Sequence, residues 1–129
     1  MKQTTALLWL RAMLAVAGAF FVAGICGAFV AGRLNLWATP IAGAVAAFAV
    51  VSSAYLFAPS HRRRSALVVF VVGAAAAWYF VGNSWYPESY REQAYLRSHA
   101  PFACTLAGGL VGVLFALISH RRALHGHGA

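Results

Sequence analysis

Glu88 and Glu92 are the only acidic side chains in the 129 residues, and they stand four apart. That spacing puts two carboxylates on one face of a helix. Such a pair can divide the roles of general acid and general base, but only around a substrate pocket or beside a nucleophile. The surrounding sequence supplies neither. The histidines offer two further arrangements. His61 and His120 follow the second and fourth apolar runs and could bridge a haem or metal between two helix ends. The arginines beside them, Arg62, Arg63 and Arg64 and again Arg121 and Arg122, disfavour a bound cation there. His125 and His127 are two ligands, too few to close a site. Cys26 and Cys104 would need specific geometry and an oxidant to pair. They read better as two buried, free, small apolar residues. The expectation is therefore no catalytic residue, no cofactor, no bound metal and no enzyme activity.

The elements that must hold these residues are apolar to an unusual degree. Hydrophobic residues make up 62% of the chain and charged residues 9%. A soluble domain carries about 25% charged residues, so lipid must be the solvent on most sides. Ten Lys and Arg against two Glu leave a formal charge of +8. Those cations lie in short clusters between apolar runs, the pattern that orients membrane helices, and no nucleic-acid partner is expected. Abundant Ala, Gly and Arg with a single Lys suggests a GC-rich, bacterial genome.

Four runs are long enough to cross about 30 Å of hydrocarbon, which takes about 20 helical residues. They cover residues 12–32, 39–58, 65–83 and 101–119 of a single membrane domain, 1–129. No run alternates as a barrel strand would, and lipid obliges each segment to satisfy its own backbone. Pro40 and Pro101 read as helix starts, Thr39 as an N-cap, and Pro59 as a stop. The first run exceeds the 7–15 apolar residues of a cleavable signal, and Ile25 before Cys26 does not suit lipid attachment. The fold class expected is an all-α membrane protein, a four-transmembrane-helix bundle with a short interfacial helix in the outer loop between spans three and four.

Counting loops gives the orientation. Lys2, Arg11, Arg62, Arg63, Arg64, Arg121 and Arg122 fall on one side; Arg33, Arg91 and Arg97, with both glutamates, fall on the other. Cations favour the cytoplasm, so both termini are expected to be cytoplasmic in a bacterial inner membrane, with the 62–64 and 121–122 arginines as anchors.

Small residues at intervals of four mark where helices approach closely. Gly24, Ala28 and Gly32 form such a series in span one, and Cys104, Gly108, Gly112 and Ala116 in span four. These two series predict a contact between spans one and four. Gly43 with Ala47 and Gly73 with Ala77 are shorter versions. Loop 84–100 is rich in aromatics, with Tyr86 and Tyr90 four apart. A surface helix from about Pro87 to Ser98 is expected, with Trp85, Tyr86, Tyr90, Tyr95, Arg91 and Arg97 available to a partner or a lipid headgroup. No ionisable residue occupies the middle of a span, which argues against a proton relay or ion path. Two roles remain: an accessory or structural subunit working with a membrane-protein partner or as a homo-oligomer in the bilayer, or a small oligomeric carrier of lipid or lipid-linked sugar.

Overall fold

The computed structural model describes residues 2–126. Four helices dominate it: α1 (Lys2–Arg33), α2 (Ala38–Phe57), α3 (Arg62–Val81) and α4 (Ala100–Gly126). All four are long and apolar enough to cross a membrane, which makes this a multi-pass membrane protein. α1 and α4 contain their expected spans, α2 covers all of its own but residue 58, and α3 all of its own but residues 82 and 83. α1 and α4 outrun theirs, α1 by ten residues at its start and α4 by seven at its end. His127 lies outside the described residues.

The boundaries follow local chemistry. α1 ends in a Schellman turn. Asn35 adopts the left-handed region at φ 52°, the Leu36 N–H reaches the Ala31 carbonyl at 2.9 Å, and the Asn35 N–H reaches Gly32 at 3.3 Å. α2 is capped by Trp37, not by Thr39, which places Pro40 inside the first turn. A proline is tolerated there because first-turn N–H groups have no helical partner. α3 starts at Arg62 instead of Ser65, so the three arginines belong to a helical turn and not to a loop. The Arg62 Nε donates to the Ala58 carbonyl at 3.3 Å across that junction. Ser98 Oγ accepts from the Ala100 N–H at 3.1 Å and opens α4.

The expected contact between spans one and four does not form. α2 is the hub: α1 and α4 both pack closely along it, and α3 rests more lightly on α2 and α4. Only a small closed core results, around Val51, Tyr55, Ala66 and Ala116, flanked by Phe70 and Val113. The buried Ser52 hydroxyl has no hydrogen-bond partner.

The surface helix expected over Pro87 to Ser98 is also absent. Strands β1 (Ser84–Trp85) and β2 (Arg97–Ser98) pair antiparallel, Ser84 opposite Ser98 and Trp85 opposite Arg97. A 3-10 turn, Glu88–Gln93, fills the loop between them and is itself broken at Arg91, φ 36°. Tyr86 faces two residues: its N–H donates to Leu96 and its carbonyl accepts from Tyr95, both at 3.0 Å. Two residues opposite one make a bulge, and Tyr95 takes its positive φ, 62°. Positive φ at two non-glycine residues cannot continue a helix, which is why the four-residue spacing of the tyrosines misleads.

Candidate functional site

The most distinctive feature is a cleft that α1 and α3 flank and α2 floors. It exists because small residues meet on three helices. α1 lies tight on α2 through glycine: a Cβ at Gly27 would stand 3.0 Å from Ala42 Cα, and one at Gly24 would stand 3.9 Å from Ala46 Cβ. α4 approaches the other side of α2 at Gly108 and Gly112. α3 does not close the remaining angle. It turns Gly73, Ala74 and Ala77 toward Ala42, Gly43, Ala46 and Ala47 of α2, and these short side chains leave a cavity of about 520 Å3 between them.

The cleft runs along α3 from Val69 to Val81 and along α2 from Thr39 to Val51. At 1.5 Å per residue its length is about 18 Å, close to the thickness of one leaflet's hydrocarbon. Phe20 and Gly24 form its α1 wall, and Thr105, Leu106 and Gly109 of α4 reach it from below. Only two lining side chains carry polar atoms, Thr39 and Thr105. The Thr105 hydroxyl is already engaged, donating to the Pro101 carbonyl of its own helix at 2.7 Å. Walls of this kind accept hydrocarbon. They offer nothing to a hydrated ion or sugar, whose lost hydrogen bonds would go unreplaced.

No family model, curated protein or solved structure matches the chain.

The sequence singled out some of these residues and missed others. Gly24 does pack, and Gly108 and Gly112 pack tightly, all against α2. Ala28 is half-buried, whereas Gly32 is exposed with nothing within 4 Å of an added Cβ. The face that α1 uses is Gly24, Gly27 and Ala31, the last fully buried. Steps of three and four stay in line on a helix of 3.6 residues per turn, whereas repeated steps of four drift away from the contact. Alternating three with four was the signal that would have found Gly27 and Ala31. Cys104 is half-buried and Cys26 exposed; both are free thiols on helices that share no packing face.

The cap over residues 82–99 gathers its aromatics differently from an interfacial helix. Trp37, from the α1–α2 turn, packs on Tyr86 at 4.8 Å and Tyr90 at 5.9 Å between ring centres, and the two tyrosines meet at 5.3 Å. Arg97 lies over the Trp85 ring at 5.2 Å. His99 stacks on Trp78, and its Nδ1 meets the Gly82 carbonyl, tying the cap to α3. Glu88, Glu92, Arg91 and Tyr95 are exposed. At the opposite end Arg62, Arg63, Arg64, Arg121 and Arg122 are all exposed. Among the described residues no three metal-ligating side chains cluster.

Replacing Thr105 by Val should matter little. The Pro101 carbonyl already accepts within the helix, so loss of the hydroxyl is expected to change stability by no more than about 1 kcal/mol. Thermal unfolding in mild detergent would show it; a collapse of the fold would mean the hydroxyl holds more than its own turn.

Proposed function

We propose that this protein is a non-catalytic membrane protein that holds a lipid chain in the cleft between α1 and α3, acting as a small carrier of lipid or lipid-linked cargo. The cleft carries this reading: it is leaflet-deep, partly open, and apolar but for Thr39 and Thr105. Its volume falls within the roughly 300–1,000 Å3 typical of pockets that enclose a ligand. A hydrocarbon chain is a guest that suits this length and these walls.

The protein sits in a bacterial inner membrane with both termini cytoplasmic, a reading supported by the arginines at the end of the bundle where α3 begins and α4 finishes. A second role, as accessory subunit, is favoured by α1. Among the described residues that helix packs chiefly on α2, and Gly18 and Gly32 have open space before them, nearly in line on its free side. A partner span or a second copy would approach closely there.

Gly73 tests the first reading. An added Cβ there has nothing within 4 Å, so Gly73→Phe should place its ring in the cleft without disturbing the backbone. Native mass spectrometry of protein extracted in mild detergent should find lipid on the wild type and little on the variant. Wild-type protein that carries no lipid would sink the carrier reading. A stoichiometric co-eluting protein would instead make it an accessory subunit.

A further inference from the structure

We infer that the cleft measures its guest: it admits a single acyl chain tail-first from the cap end, and the Phe70 ring sets the length it takes. This rests on the lipid-chain reading above. The two ends of the cleft differ in exposure. At the cap end the lining includes Thr39 and Phe80, both exposed, Phe80 to 79%. At the other end it includes Val51, which is 2% exposed, and Gly109, which is buried. Phe70 closes that end. Its ring lies so near Gly109 that a Cβ there would stand 2.8 Å from two ring atoms. The same ring packs on the closed core of Val51, Tyr55, Ala66 and Ala116. A chain entering from the cap therefore meets a ring backed by the core. Val69 alone lines both the cleft and the more open hollow beside Trp9, and divides them.

Length, more than burial, is what such a cleft can select. A tail in the bilayer is already in hydrocarbon, so entering an apolar cleft gains little by burial. Fit decides instead. A tail too short leaves empty space whose walls lose contacts, and a tail too long must buckle. An extended hydrocarbon advances about 1.25 Å per carbon, from bonds of about 1.5 Å at about 110°. The cleft, about 18 Å long, therefore takes a chain of about fourteen carbons, its terminal methyl against Phe70. Behind the ring stand Tyr55 and Ala66, the latter 1% exposed and one turn before Phe70 on α3. Without the ring a tail can advance by about one helical turn, or about four carbons. Ala74 lies one turn toward the cap and also lines the cleft. A ring at that position brings the wall forward by as much.

The test is chain-length competition at constant headgroup. Wild type, Phe70→Ala, Ala74→Phe and Gly73→Phe are reconstituted in vesicles of equimolar dilauroyl, dimyristoyl and distearoyl phosphatidylcholine. Each is re-extracted in mild detergent and its bound lipid counted by native mass spectrometry. Wild type should retain the dimyristoyl lipid over the distearoyl by about threefold or more, short of the roughly tenfold a methylene commands in an enclosed pocket. Phe70→Ala should turn that preference toward distearoyl, and Ala74→Phe should move it to dilauroyl. Phe70→Ala also thins the core, so Phe70→Leu is measured beside it and should shift the preference the same way by less. A merely loosened fold does not give opposite shifts from neighbouring turns. Retention that ignores chain length in wild type, yet is lost in Gly73→Phe, overturns the role of Phe70 and leaves the chain site standing. A length preference that Phe70→Ala, Phe70→Leu and Ala74→Phe all leave unchanged does the same. Equal retention in wild type and Gly73→Phe overturns both.

Discussion

Gly108→Leu should separate α4 from α2 and unfold the protein in mild detergent at temperatures the wild type survives. The reason is geometric. A Cβ at Gly108 would collide with the Ala44 carbonyl oxygen and stand 2.7 Å from its carbon and 2.8 Å from its Cα. Those are backbone atoms of a neighbouring helix and cannot rotate away, so the helices must part. Even Gly108→Ala should cost about 1–3 kcal/mol, the usual penalty for overfilling a packed contact. Leucine adds bulk that no shift of a few tenths of an ångström accommodates. Loss of the α2–α4 contact also removes Ala116 from the small core it shares with Val51 and Tyr55. Gly32→Ala is the matched control, since the space before Gly32 is open, and should stay within about 0.5 kcal/mol of wild type. Thermal unfolding followed by circular dichroism distinguishes them. Equal stability of the Gly108 and Gly32 variants would mean that α2 and α4 do not approach as described.

The second large effect concerns orientation. A periplasm-dependent phosphatase inserted at Ser60, with the rest of the chain following, should be inactive, and the same insertion at Ser89 should be active. A difference on the order of tenfold or more is expected from an all-or-none topology. Replacing Arg62, Arg63 and Arg64 together by Ser reduces the cytoplasmic set from seven cations to four, against three on the other side. The bias should then nearly vanish, and the Ser60 reporter should gain activity as a fraction of molecules inserts upside down. Activity at Ser60 in the unaltered chain would reverse the assignment of sides.

The four spans are legible in the sequence because lipid leaves little choice: about twenty apolar residues must form a helix there. The partners of those helices are much less legible. Gly24, Gly108 and Gly112 announce close approach, but an interval of small residues says nothing about which helix arrives. All three turn to α2, whose own Ala42, Ala44 and Ala46 look unremarkable in a chain rich in alanine. The cap was misread because Tyr86 and Tyr90 have helical spacing, while the positive φ of Arg91 and Tyr95 leaves no compositional trace; glycine would have shown it. The cleft was hidden for a different reason. A void depends on contacts that fail to form, and no single residue encodes the stand-off of α3. The small-residue run from Gly73 to Ala77 was its only local sign.

The central place of α2 bears on the order in which the chain can assemble as it leaves the ribosome. α1 and α2 are joined by a four-residue turn and can dock as soon as both have entered the bilayer. α3 then arrives with only a light hold on what is already there. The face of α2 around Gly43 and Ala44 stays open until α4, made after the other three, closes on it. A nascent chain interrupted after α3 would therefore expose that face to any passing helix, and membrane quality control would meet an unfinished hairpin pair instead of a folded protein.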